Sequence, residues 1–201
     1  SQELFTMNDE GERFLADLRG TYRTLWSNGI PVDILTPKQD WSGYKLIFLP
    51  NVALMTDEVR DRITQTLAEN PDTKLVADGS FGMYSDNGLS SYNPPEGFAE
   101  SFGIRVADYS NIDEYDIAEG RNIVETQYGS LTIETPTGYA VLEPRGKTDV
   151  IASIDGQTVA VRTADGRFTW YGLSFSAGFG DVDSTDIVLG ILRDAGIRAP
   201  L

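Results

Sequence analysis

An α/β fold is predicted, with a doubly wound, mainly parallel sheet and an antiparallel, β-rich C-terminal half, and three features of the chain predict it. Between Phe14 and Ala77 an amphipathic helix, two short apolar runs, a second helix and a third apolar run follow one another with little slack. The runs Val32 to Leu35, Leu46 to Leu49 and Lys74 to Ala77 lack clean apolar/polar alternation, which is how strands covered on both faces read. From Ile104 onward the pattern changes to short, partly alternating segments with turn residues between them, the mark of antiparallel pairing. Helices alternating with buried strands imply the parallel part.

The first helix is expected to start at Asp9, because Asp9 and Glu12 have capping-box spacing. Phe14, Leu15, Leu18, Tyr22, Leu25 and Trp26 fall on one face of a 3.6-residue period, so this face is expected to lie on the sheet. Gly29 and Pro31 end the helix. A doubly wound fold usually opens with a buried strand, and Leu4-Phe5 is too short to be all of one; that strand was cut away with upstream sequence, or the sheet is built around its absence.

Thr56-Asp57-Glu58 caps a second helix with Val59, Ile63 and Leu67 as its apolar stripe, closed by Asn70-Pro71. The third apolar run delivers the loop Asp78, Gly79, Ser80, Phe81, Gly82 at its carboxyl end, where open α/β sheets place ligands. Phe98 to Phe102 reads as a short helix. The β-rich half comprises Arg105 to Tyr109, Ile123 to Thr126, Ser130 to Glu134, Tyr139 to Leu142, Val150 to Ile154, Thr158 to Arg162 and Phe168 to Leu173, with hairpins at Asp155-Gly156 and Asp165-Gly166. These strands extend the edge of the sheet or form a satellite sheet. A last helix, Ser184 to Asp194, buries Ile187, Val188, Ile191 and Leu192 and stops at Gly196. No linker, repeat or low-complexity segment is visible, so residues 1–201 are expected to form one domain.

Composition narrows the chemistry. The chain has no cysteine, which removes disulfides, thiolate metal sites and a thiol nucleophile. It also has no histidine, the commonest general base and metal ligand. A formal net charge of −15 opposes binding to phosphate backbones, so no nucleic-acid partner is expected. No apolar run approaches the ~20 residues that span a bilayer, and no signal-peptide pattern opens the chain. No membrane partner is expected, and a soluble protein with the cytoplasm as favoured compartment follows.

The candidate sites are few. Ser80 stands where class I glutamine amidotransferase-like folds carry a nucleophile elbow, but Asp78 occupies the place of the first glycine of G-x-S-x-G, and a Ser-His-Asp triad cannot form without histidine. A tight strand-to-loop turn, for which glycines are the normal solution, is the preferred reading. Among 31 acidic residues some pair will meet a glycosidase spacing by chance. The acid-rich stretches Asp108 to Glu114 and Asp181 to Asp186 suggest calcium through oxygen ligands, yet neither fits the EF-hand loop pattern, and a solvated loop, or in the second stretch a helix cap, is the better reading. Trp26, Trp41, Trp170, Tyr44 and Tyr171 could stack on sugars; core or subunit-interface packing is preferred for each tryptophan. No catalytic residue, metal ligand or cofactor is assigned.

L-R-G-x-Y-R-x-L-W-x-x-G-I-P-V-D at Leu18 to Asp33, then D-W-S-G-Y-K-L-I-F-L-P-N at Asp40 to Asn51 and L-M-T-D-E-V at Leu54 to Val59, closely resemble the trimerisation domain of family-42 glycoside hydrolases, the bacterial beta-galactosidases. The likeness returns in Phe168 to Leu173 and the final helix. It implies a flavodoxin-like, amidotransferase-like domain that has lost amidotransferase chemistry and holds three subunits together. It also implies a longer parent chain whose catalytic glutamates lie in an upstream TIM barrel, with this segment excised from it. The alternatives carried alongside are a degenerate amidotransferase-like carbohydrate-binding domain using Asp78 to Gly82, and an independent hydrolase using Ser80.

Overall fold

A computed structural model describes residues 9–85, 88–89, 102–174 and 185–198. Helix α1 runs Asp9–Ser27 and is closed by Gly29 at φ 69°, with the Ile30 amide donating to the Leu25 carbonyl. Strand β1 (Leu46–Leu49) and the two-residue β2 (Leu54–Met55) follow. Helix α2 (Asp57–Glu69) is capped as its sequence predicts, the Thr56 hydroxyl accepting from the Val59 amide at 3.2 Å. Strand β3 is Lys74–Asp78, and the short β4 (Tyr84–Ser85) and β5 (Gly88–Leu89) pair beside β2.

In the second half, β6 (Ile104–Ile112), β7 (Ile123–Thr126), β8 (Gly129–Thr132), β9 (Thr137–Pro144), β10 (Thr148–Ile154), β11 (Gln157–Thr163) and β12 (Phe168–Tyr171) lie where the alternating segments place them. Helix α3 (Glu114–Ala118) interrupts them, and α4 (Thr185–Asp194) closes the described chain. The expected helix at Phe98 to Phe102 lies outside the described residues apart from Phe102.

The large sheet has the order β1-β3-β12-β11-β10-β7-β8. Only β1-β3 and β3-β12 are parallel; the other four pairings are antiparallel. The expectation of a mainly parallel sheet is therefore corrected among the described residues: it is mixed, three parallel strands continued by an antiparallel set. Hairpin turns are the reason, since Asp155-Gly156 and Asp165-Gly166 return the chain at once where a parallel neighbour needs a long crossover. The β-rich half supplies both alternatives raised by its sequence, five strands added to the sheet (β12, β11, β10, β7 and β8) and a separate antiparallel pair, β6 with β9.

A second correction concerns Val32 to Leu35, which joins no ladder. Pro31 removes a donor at its start, Ile34 is exposed, and Val32 and Leu35 pack against different core clusters.

Side chains alternate across the parallel strands and fill two layers. Val76, Tyr171 and the flanking Leu46 and Phe48 face a core shared with Leu25 of α1 and with Ile187, Val188, Ile191 and Leu192 of α4. Ile47, Leu49, Leu75, Ala77, Phe168 and Trp170 face the other, with Val59 and Ile63 of α2 and with Ile104 and Leu142 of the β6-β9 pair. Coverage on both faces explains why these strands read as unbroken apolar runs. Strand β9 crosses close over the end of β12: the Ala140 amide donates to the Gly172 carbonyl at 2.6 Å, and a Cβ on Gly172 would lie 2.2 Å from the Ala140 carbonyl oxygen.

Candidate functional site

The loop after β3 is held by the loop after β1. The two strands run in parallel register, Leu49 beside Ala77, so Asn51 and Asp78 leave the sheet at the same end. Asn51 adopts φ 44°, a left-handed conformation that asparagine tolerates better than most residues. Its backbone amide donates to Asp78 Oδ1 at 2.8 Å, and its side-chain Oδ1 accepts from the Ser80 amide at 3.1 Å. Gly79 sits at φ 63° with its would-be Cβ 2.8 Å from that same oxygen. The Gly79 amide donates to the Leu173 carbonyl, its carbonyl accepts from Trp170 Nε1, and the Gly82 amide donates to the Val52 carbonyl.

Asp78, Gly79, Phe81 and Gly82 are buried and Ser80 is half-buried. The Phe81 ring lies 5.5 Å from Phe168 and 5.7 Å from Trp170, centre to centre. Sequence reasoning therefore brought five residues to one place, and it missed Asn51, which braces them. The available signal was an asparagine two residues past the end of an apolar strand. Neither of the two clefts described next is lined by this loop.

One cleft lies where α4 ends against the sheet. There Asp194 Oδ2 accepts from Tyr128 Oη at 2.5 Å and from Arg162 Nη1 at 3.1 Å, while Lys74 Nζ donates to the Asp194 carbonyl. Burial, reinforced by the Asp194 bond, pushes the Tyr128 phenol well above its ordinary value. Full burial does the same to Tyr171, which lines the same cleft. These bonds clamp α4 to β3, β11 and the β7-β8 turn.

The second cleft, about 150 Å³, is polar and lies between the end of β6, α3 and the β10-β11 turn. Its Arg121 donates to Asp116 Oδ1 through Nε at 3.1 Å and Nη2 at 2.8 Å and lies over the Tyr115 ring. Arg121 holds the Asp116 carboxyl below its usual range. Asp113 and Asp116 form a reciprocal capping box on α3, so these acids cap a helix; the spacing D-x-x-D at Asp113 to Asp116 was the missed signal. Among the described residues no cluster of acids is arranged to hold a metal ion, and Asp181 to Ser184 lie outside them.

The tryptophans divide. Trp41 and Trp170 are core, as read from sequence. Trp26 is 68% exposed, and Leu15 and Tyr22 on the same side of α1 are exposed too. Asp17, Thr21, Thr24 and Leu25 take the buried side, Asp17 Oδ1 accepting from Ser174 Oγ at 2.6 Å beyond the end of β12. The expectation that the whole apolar face of α1 lies on the sheet is corrected: a buried carboxylate bond sets the rotation of the helix, and part of its apolar stripe is left outside. No described helix is long and apolar enough to cross a membrane.

The comparisons with known proteins bear on this arrangement. The family model described as "Beta-galactosidase trimerisation domain" matches residues 4–167. The beta-galactosidase Bga of Halorubrum lacusprofundi is 23% identical over 189 residues, covering 88% of this chain and 26% of Bga. The chain thus spans about a quarter of that relative, and 9% and 14% of two further beta-galactosidases that it matches over shorter stretches. Among solved structures, Gan42B, a family-42 beta-galactosidase from G. stearothermophilus, superposes with a TM-score of 0.73 at 20% identity, over 96% of this chain and 28% of Gan42B. A glutamine amidotransferase superposes with a TM-score of 0.56 at 13% identity, over 89% of this chain and 94% of its own, a likeness of fold. The chain belongs to the family of beta-galactosidase trimerisation domains.

Proposed function

We propose that this chain is a non-catalytic oligomerisation domain that joins three copies of a longer, beta-galactosidase-like glycoside hydrolase, whose bond-breaking carboxylates lie in a separate TIM-barrel part of that protein. The observation that carries this reading is the family match over residues 4–167. The likeness to an amidotransferase fold is read as an inherited scaffold without its chemistry, supported by the absence of any cysteine or histidine from the sequence. No cofactor is needed for such a role.

The loop Asp78 to Gly82 fits this role as a brace. The Gly79, Ser80 and Gly82 amides are bonded within the fold, and Asn51 fills the space above Gly79 where a ligand would have to approach. Physically, the domain would act by burying surface between protomers, on the order of 2,000 Å² or more for an obligate contact, and so fix the orientation of the attached catalytic parts.

Light scattering on the purified chain tests the proposal: the expected mass is three times 22.1 kDa, with no turnover of a nitrophenyl galactoside and no calorimetric heat with galactose. Turnover, or saturable galactose binding abolished by Gly79→Ala, would favour the hydrolase or carbohydrate-binding alternatives.

A further inference from the structure

Helix α1 wears its polarity inside out. Its inward side carries Asp17, Thr21 and Thr24, all buried, whereas Leu15, Tyr22 and Trp26 face outward. Spacings of seven and four residues put these three on one stripe, about 16 Å long at 1.5 Å per residue. The helix cannot roll to hide them without breaking the Asp17–Ser174 bond and burying other groups.

The charge on this face is as unusual as its apolarity. From Phe14 to Ser27 the charged residues are Asp17, which is buried, and Arg19 and Arg23, which are exposed and form no ion pair among the described residues. The outward face of α1 is thus apolar and cationic on a chain whose net charge is −15. Aromatic residues and arginine are the types enriched at the centres of protein interfaces.

We propose that the outward face of α1, Leu15, Tyr22 and Trp26 with Arg19 and Arg23, is one half of a head-to-tail contact between copies of this chain and seats on a different, acidic surface of the next copy. The proposal rests on the self-association reading above and adds which face makes the contact and what it meets. Pairing α1 with α1 would bring four arginines together at the contact, whereas the remainder of the chain offers a large excess of carboxylates. A closed ring of three requires two different patches per protomer, so a face complementary to the rest of its own molecule suits that symmetry.

The test replaces Trp26 with a photo-crosslinking benzophenone amino acid and maps the linked peptides. In parallel, Trp26→Glu and the double variant Arg19→Glu/Arg23→Glu are compared with the parent chain by sedimentation, with circular dichroism as the folding control. The expected cross-link joins position 26 to a peptide outside α1 of a second copy. Each variant is expected to keep its fold, and Trp26→Glu to weaken association at least ~30-fold, the effect of losing one central aromatic anchor. A cross-link to α1 of the second copy, or full association of both variants, would overturn this inference while leaving the self-association reading standing. A parent chain that stays monomeric would overturn both.

Discussion

At the scale of single residues, the fold depends on a few positions where backbone conformation and a side-chain bond coincide. Asn51 combines φ 44° with a bond to the Ser80 amide. Asn51→Ala should cost about 1–3 kcal/mol in urea unfolding, from the lost bond plus left-handed strain. Asn51→Gly removes the same bond without the strain and should cost less; equal losses would show that conformation is irrelevant there. The tyrosines at the α4 cleft make stability depend on alkaline pH. Burial raises Tyr128, helped by Asp194, and burial raises Tyr171. Their folded values lie above the unfolded value of 10.0, so their contribution is fully present below pH 10 and is lost as pH climbs toward the folded values. The urea midpoint should therefore be insensitive to these two groups up to about pH 9 and fall beyond 10, and Tyr128→Phe should flatten part of that fall. An unchanged midpoint from pH 9 to 11.5 would contradict the burial argument.

At the scale of elements, Gly190 shows why a helix position cannot be judged alone. A Cβ there would lie 2.4 Å from the Tyr128 ring, which packs against α4. In an open helix Gly→Ala stabilises by ~1 kcal/mol. Here the intrusion should outweigh that gain, making Gly190→Ala destabilising by about 1–3 kcal/mol. In a Tyr128→Gly background, which removes both the ring and the Cβ that would lie 2.9 Å away, the sign should reverse, and thermal melts of the four variants would expose a failure to do so. The legibility of the elements follows the same logic. Strands β10 to β12 were readable because Asp155-Gly156 and Asp165-Gly166 mark turns locally, and α4 because Ile187, Val188, Ile191 and Leu192 all turn inward. The rotation of α1 was not readable, because its apolar period points one way while Asp17, 157 positions distant from Ser174 in sequence, binds the other. Val32 to Leu35 misled for a related reason: apolar content identifies a buried run, but only a neighbouring ladder makes it a strand, and that neighbour is a non-local fact. Of the candidate site, the five residues of the loop were legible as a turn after β3, whereas their brace, Asn51, depended on which strand lies beside β3.

At the scale of the molecule, the motif at Leu18 to Asn51 carried the family from sequence, and the match over residues 4–167 established it. What no local pattern carried was the mixed sheet, since parallel and antiparallel strands of similar composition differ only in their connections. In the proposed role, contact between copies, the outward apolar and cationic face of α1 would be the contact surface. Such a contact would have to overcome mutual repulsion between bodies of charge −15 as well as the entropy of association, so it would need apolar burial at its centre. Sedimentation equilibrium of the isolated chain, from about 1 to 200 μM at physiological salt, tests this most directly. The account predicts a mass that rises to three times 22.1 kDa and stops there; a single species of 22.1 kDa across the whole range would contradict it.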